Sequence, residues 1–231
     1  MEQAYAYPPD RRWLRANMVA SVDGAASADG RSGGLSSPAD KRVFRVLRAL
    51  ADVIVVGAGT ARAERYAAVT PEETTPTERV ARCQTATPAI AVVTSRLDLD
   101  PGSGLFAGAA TRSFVLTCAA ADPRRLRALR EVADVVVAGE DRVDLPVALD
   151  ALAERGLRRM LCEGGPALLT QIAAAGRLDE LCLTISPLLT GGGAGRILAG
   201  AGLSPPLPLR LSHLLEQDGA LFARYAREEV W

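Results

Sequence analysis

The chain predicts an α/β fold: a mostly parallel central sheet with helices on both faces and an antiparallel hairpin at the C-terminal end. Three observations carry this expectation. Short apolar runs alternate with amphipathic helical segments along most of the 231 residues, and strands separated by helices pair in parallel with both faces covered. The runs stop at turn residues, as at Asp23-Gly24 and Gly57-Ala58-Gly59. Near the end, two strand-length segments flank Asp218-Gly219, a hairpin signal.

Each element has a local reason. Residues 14–21 (LRANMVAS) form a first strand, followed by a loop of Gly, Ser, Asp and Ala to residue 35. Ser36 and Ser37 before Pro38 start a helix, because a hydroxyl caps free amides and proline suits the first turn. Val43, Phe44, Leu47 and Leu50 then recur at helical spacing. Residues 53–56 (VIVV) make a compact strand, and the polar, turn-rich residues 71–87 read as a surface excursion. Residues 89–94, 114–117 and 135–138 are further strands, with helices over 123–132 and 146–155. An apolar-basic run from residue 156 leads into a short buried strand ending at Cys162, a glycine pair, and a helix over 167–175. Residues 180–186 form a strand, 191–195 (GGGAG) a flexible loop, and 209–216 with 221–228 the hairpin, which adds antiparallel edge strands. Residues 1–12, with Pro8, Pro9, Asp10, Arg11 and Arg12, read as a polar arm ahead of one domain over 13–231.

Composition narrows the function. Lys+Arg and Asp+Glu number 27 each, so no long-range field draws the chain to nucleic acid or a membrane surface. Cys83, Cys118, Cys162 and Cys182 show no C-x-x-C spacing, and three of them read as reduced, buried thiols. With His213 as the single histidine, a triad enzyme or a His-rich metal site is not expected, so no metal is assigned. No apolar run has the length of a membrane span and none resembles a secretory signal, so a cytoplasmic protein is expected.

The stretch Leu161-Cys162-Glu163-Gly164-Gly165-Pro166 is the most informative. A strand running through two glycines into a helix leaves backbone N–H groups free beside the positive end of the helix dipole, which suits a pyrophosphate. A carboxylate is unhelpful there, so Glu163 is expected to face a second ligand, the substrate. Gly57 and Gly59 with Thr60 follow another strand. They fit either a plain strand-to-helix turn or the second half of a dinucleotide cradle, since the third glycine of a Rossmann fingerprint is Arg62. Thr94-Ser95-Arg96 has the chemistry for a 2′-phosphate and equally reads as a solvated strand end. The GGGAG loop reads as structural, Asp23 as part of a turn, and Arg48 as favourable to its helix dipole without any ligand.

Taken together, Asn17-Met-Val-Ala-Ser-Val-Asp-Gly24, Ser36-Ser-Pro, Leu47-Arg48, Val56-Gly-Ala-Gly-Thr60, Glu163-Gly-Gly-Pro166 and Asp179-Glu-Leu-x-Leu-Thr-Ile-x-Pro187 with Gly191-Gly-Gly resemble one family. It is the reductase domain of riboflavin biosynthesis, the C-terminal half of the bifunctional pyrimidine deaminase/reductase, with a dihydrofolate-reductase-like fold. Among its members the chain is most similar to stand-alone actinobacterial ones. The resemblance implies NADPH-dependent reduction of 5-amino-6-(5-phosphoribosylamino)uracil, a small-molecule substrate, by a homodimer. Carried onto these residues, it implies that Ala20, Gly57, Gly59, Thr60, Glu64, Thr94, Ser95, Arg96 and the helix start from Gly164, Gly165, Pro166, Ala167 and Leu168 to Gln171 contact NADPH. Asn17, Ser32, Arg48 and Glu163 would contact substrate, and Asp23 and Glu163 would act in catalysis, Asp23 by orienting substrate or delivering a proton. Two departures stand out: Asn17 replaces a lysine frequent in bifunctional relatives, and Glu64-Arg65-Tyr66 replaces an Asp-Asp-Pro run. A dihydrofolate-type reductase and a catalytically silent nucleotide-binding relative are the rival readings.

Overall fold

A computed structural model describes residues 2–228. Its strands are β1 (Trp13–Ser21), β2 (Val53–Gly57), β3 (Ala89–Val93), β4 (Phe114–Thr117), β5 (Asp134–Val137), β6 (Arg159–Cys162), β7 (Glu180–Ser186), β8 (Leu209–Gln217) and β9 (Ala220–Arg227). The helices are α1 (Pro38–Leu50), α2 (Ala58–Ala63), α3 (Pro76–Ala81), α4 (Pro123–Val132), α5 (Leu145–Glu154) and α6 (Pro166–Ala174). One sheet takes the order β5-β4-β3-β2-β6-β1-β7-β9-β8, parallel as far as β7 and antiparallel over β9 and β8.

Burial on both faces explains the unbroken apolar strands. Along β2, Ile54 and Val56 point into one core with α1, α2 and α4, while Val53 and Val55 point into the other with α5 and α6. Each helix begins as its sequence dictates: Ser37 accepts from the Asp40 N–H at 3.1 Å ahead of Pro38, and Asp122 and Asp144 cap α4 and α5. Among the described residues no helix is long and apolar enough to cross a membrane.

Three expectations are corrected. The hairpin does not supply two edges: β9 is paired on both sides, by β7 and β8, and only β8 is an edge. The arm is not a separate solvated segment. Residues 2–5 form a 3-10 turn that buries Tyr5, the Tyr7 hydroxyl donates to the Met160 carbonyl at 3.1 Å, and Arg224 donates to the Ala4 carbonyl at 2.7 Å. The excursion over 71–87 is not merely surface either. It forms α3 and buries Arg79 completely, whose guanidinium donates to the carbonyls of Ala49 at 2.8 Å, Ala51 at 2.7 Å and Thr85 at 2.9 Å. The first two lie at the end of α1, where carbonyls have no partner within the helix, and Arg82 and Gln84 add a donor to each. Polarity misled the reading because an arginine fork can satisfy several buried acceptors at once.

Candidate active site

Parallel pairing brings the C-terminal ends of β1, β2 and β6 to the same side of the sheet, where an α/β fold leaves its crevice. A cavity of about 640 Å³ opens there, within the size range of small-molecule sites. Its walls come from β1, the loop before α1, α1 itself, the α2 end and following turn, the start of α6, and the glycine loop after β7.

The glycine pair shapes one wall. Gly164 has φ +88°, a conformation that L side chains rarely adopt. A Cβ on Gly165 would meet the Thr60 hydroxyl at 2.5 Å, so only glycine lets α2 approach α6 this closely. Gly165 caps α6 without a side-chain acceptor, so first-turn amides of this nine-residue helix have no capping partner, and the helix start at Gly165 and Pro166 lines the cavity. The Gly57 N–H donates to the Gly164 carbonyl at 2.8 Å, tying the two glycine loops together. On the β1 side, the Asn17 Oδ1 is buried and has no hydrogen-bond partner among the described residues. The cavity can therefore take an anion at α6 and a hydrogen-bond donor at Asn17.

The second feature is a charged cluster. Arg48 donates to Glu163 from Nε and Nη2, both at 2.7 Å, and the Tyr66 hydroxyl donates to the same carboxylate at 2.6 Å. The guanidinium stacks 4.3 Å from the Phe44 ring centroid, and its Nη1 lies 3.5 Å from Glu73. Burial alone would lower the Arg48 pKa, but the charge of Glu163 and the hydrogen bonds to it hold the pKa raised. Burial, then the Glu163 charge, pushes the Tyr66 phenol well above its ordinary value.

Of the residues singled out in the sequence, Asn17, Ser32, Arg48, Thr60, Glu64, Glu163, Gly165 and Pro166 line the cavity. Ala20, Gly57, Gly59, Gly164, Ala167 and Leu168 are not part of that lining, and Gly59 and Ala167 are exposed. Thr94, Ser95 and Arg96 lie outside it: the Thr94 hydroxyl accepts from the Leu97 N–H at 3.0 Å and the Arg96 carbonyl from Arg125 at 3.2 Å. Both carboxylates expected to act in catalysis have protein partners of their own. Glu163 lines the cavity already bound to protein: Arg48 donates to both of its oxygens and Tyr66 to one, which leaves Oε1 with a single donor. Asp23 faces a neighbouring loop instead: its carboxylate accepts from Ser21 Oγ at 2.5 Å and from the backbone N–H groups of Thr190 at 3.2 Å and Gly191 at 2.7 Å. Those hydrogen bonds, the Ser21 one foremost, lower its pKa to about 2, so it carries no proton to deliver at neutral pH. The glycine loop, read as structural only, brings Gly195 and Arg196 to the cavity. Sequence reasoning also missed Lys41, Arg65, Tyr66 and Glu73. The one sequence signal for Arg65 and Tyr66 was their place in a run that departs from the family pattern.

This sheet order, with a closing antiparallel pair and a ligand crevice between two glycine loops, defines a dihydrofolate-reductase-like protein. A dihydrofolate reductase from Enterococcus faecalis aligns over 94% of this chain and 97% of its own with a TM-score of 0.56 at 12% identity, a likeness of fold. Residues 12–220 match the RibD C-terminal domain, and the chain belongs to that family. A 2,5-diamino-6-ribosylamino-4(3H)-pyrimidinone 5′-phosphate reductase from Archaeoglobus fulgidus is 30% identical over 79% of this chain and 83% of its own length. A pyrimidine reductase-like protein from Corynebacterium diphtheriae superposes over the whole of both chains with a TM-score of 0.85 at 27% identity. The chain is thus an oxidoreductase of the riboflavin-biosynthesis reductase type.

Proposed function

We propose that this protein is a cytoplasmic reductase that uses NADPH to convert 5-amino-6-(5-phosphoribosylamino)uracil into its ribitylamino product. The observation that carries the reading is the Gly165 cradle beside Thr60, opening onto the same cavity as the Arg48–Glu163–Tyr66 cluster. Gly165, Pro166 and Thr60 would hold the coenzyme, and bound NADPH supplies the hydride for the sugar carbon. The chain's own contribution is placement. The unpartnered Asn17 Oδ1 takes a ligand N–H or O–H, and the Arg48–Glu163 pair forms a rigid, internally neutralised wall against which the substrate rests. With Glu163 ion-paired to Arg48 and Asp23 held deprotonated, the proton that completes the reduction is assigned to a water.

The name of the Archaeoglobus relative favours a second reading, in which the substrate carries a 2-amino group where the uracil has a carbonyl. Following loss of NADPH absorbance with each pyrimidine, with dihydrofolate and with NADH in parallel, tests both. Turnover with a phosphoribosylaminopyrimidine and NADPH is expected, and the preferred pyrimidine selects between the readings. Turnover with dihydrofolate alone, or with nothing, sinks them. We further propose a homodimer joined through β8, whose Leu211, Leu214 and Leu215 are exposed.

A further inference from the structure

Three cationic side chains at the cavity, Lys41, Arg65 and Arg196, make no hydrogen bond or ion pair with the described residues, whereas Arg48 is bound to Glu163. Arg196 is notable for how it is held. It follows a run of glycines, which would ordinarily leave it free to swing in solvent. Here the loop is fastened along its length. Val22 N–H donates to the Leu188 carbonyl at 3.0 Å, and Ala26 N–H donates to the Gly195 carbonyl at 2.8 Å. The Asp23 carboxylate binds the Thr190 and Gly191 amides. Downstream, the Ala199 N–H donates to the Thr170 hydroxyl of α6 at 3.0 Å. The chain is therefore fixed both before and after Arg196, against the β1 loop on one side and α6 on the other.

An exposed guanidinium without a partner among the described residues, on a loop fixed by its backbone at the cavity that the start of α6 also lines, matches a phosphomonoester dianion. Its planar fork can bind two phosphate oxygens at once. We propose that Arg196 is a phosphate-binding residue of this cavity and that Asp23 is the positioning residue that seats it. The inference rests on reading the cavity as a reductase site. That reading offers two sources of the group: the 5-phosphate of the sugar substrate and the 2′-phosphate of the coenzyme. Lys41 on α1 and Arg65 after α2 add charge of the same sign.

The test is binding, independent of turnover. Calorimetric titration uses ribose 5-phosphate and adenosine 2′,5′-bisphosphate as probes, with ribose and adenosine 5′-monophosphate as the respective controls. Arg196→Gln is expected to weaken one phosphorylated probe roughly tenfold, the loss typical of one charge-assisted contact, and Arg196→Lys to recover part of it. The affected probe identifies the source. Asp23→Asn is expected to weaken the same probe, to speed tryptic cleavage after Arg196 severalfold, and to add nothing further in the double variant. A wild-type protein that binds neither probe, or Arg196→Gln binding both as well as the wild type, overturns the proposal. Faster cleavage in Asp23→Asn with probe affinity intact removes the positioning role. A chain that shows the Arg196 dependence but reduces no pyrimidine keeps the phosphate site and loses only the reductase reading.

Discussion

Glu163 and Arg48 act as a unit, and their burial decides what substitution does. The side chains are 2% and 11% exposed, so breaking the pair leaves a charge largely shielded from water. Glu163→Gln is expected to lower stability by about 3 kcal/mol, read as a shift in the urea midpoint at constant slope. Glu163→Leu combined with Arg48→Met should be less destabilising than the two single changes summed, because it removes both charges together. Asp23 gives a pH prediction of definite sign. Its folded pKa of about 2 lies below the ordinary 3.8, so the clamp's contribution is complete above the ordinary value and is lost as pH falls through about 2. Amide exchange at Thr190 and Gly191, corrected for intrinsic rate, should show constant protection down to about pH 4 and falling protection below. Loss of protection near neutrality would rule out the carboxylate as the clamp.

Arg79 matters through the element it completes. Helix α1 carries Arg48 in its last turn, and the Arg79 guanidinium holds the carbonyls of Ala49 and Ala51 just beyond. Burial lowers its pKa to about 10, which still leaves it charged at neutral pH. Arg79→Met removes the buried hydrogen bonds of the guanidinium and leaves the Thr85 carbonyl without its donor, while Arg82 and Gln84 still reach Ala49 and Ala51. A loss of about 2 kcal/mol is therefore expected, on the order of 6 °C in melting temperature. Lys should rescue little, since one ammonium cannot reproduce the planar fork. Calorimetric melting of the three proteins measures this. Equal melting temperatures would show that water satisfies the helix end instead. Helix starts were legible because Ser37, Asp122 and Asp144 act on their own next turn, whereas this helix end depends on a residue some thirty positions away.

For the molecule as a whole, the sheet is covered on both faces but left open at β8. Leu214 and Leu215 are adjacent and so point to opposite faces, and both are exposed. An edge strand with one unpaired side and leucines on each face invites a second copy. Sedimentation should give a dimer for the wild type and a monomer for Leu214→Lys, with the coenzyme cradle on the far side of β7 unaffected. A wild-type monomer at micromolar concentration would refute the assembly.

The alternation of apolar runs with helical periodicity, the caps and the turn glycines announced the α/β class, nearly every element and the Gly165 cradle. Each of those signals acts between residues a few positions apart. What Asp23, Glu163 and Arg79 bind was settled by folding, because their partners lie far along the chain: Gly191, Arg48 and Ala51. A side chain's type states which bonds it can make. The packing of distant segments selects which bonds it does make, and so made Asp23, expected to orient substrate or deliver a proton, the clamp of a glycine loop that walls the site.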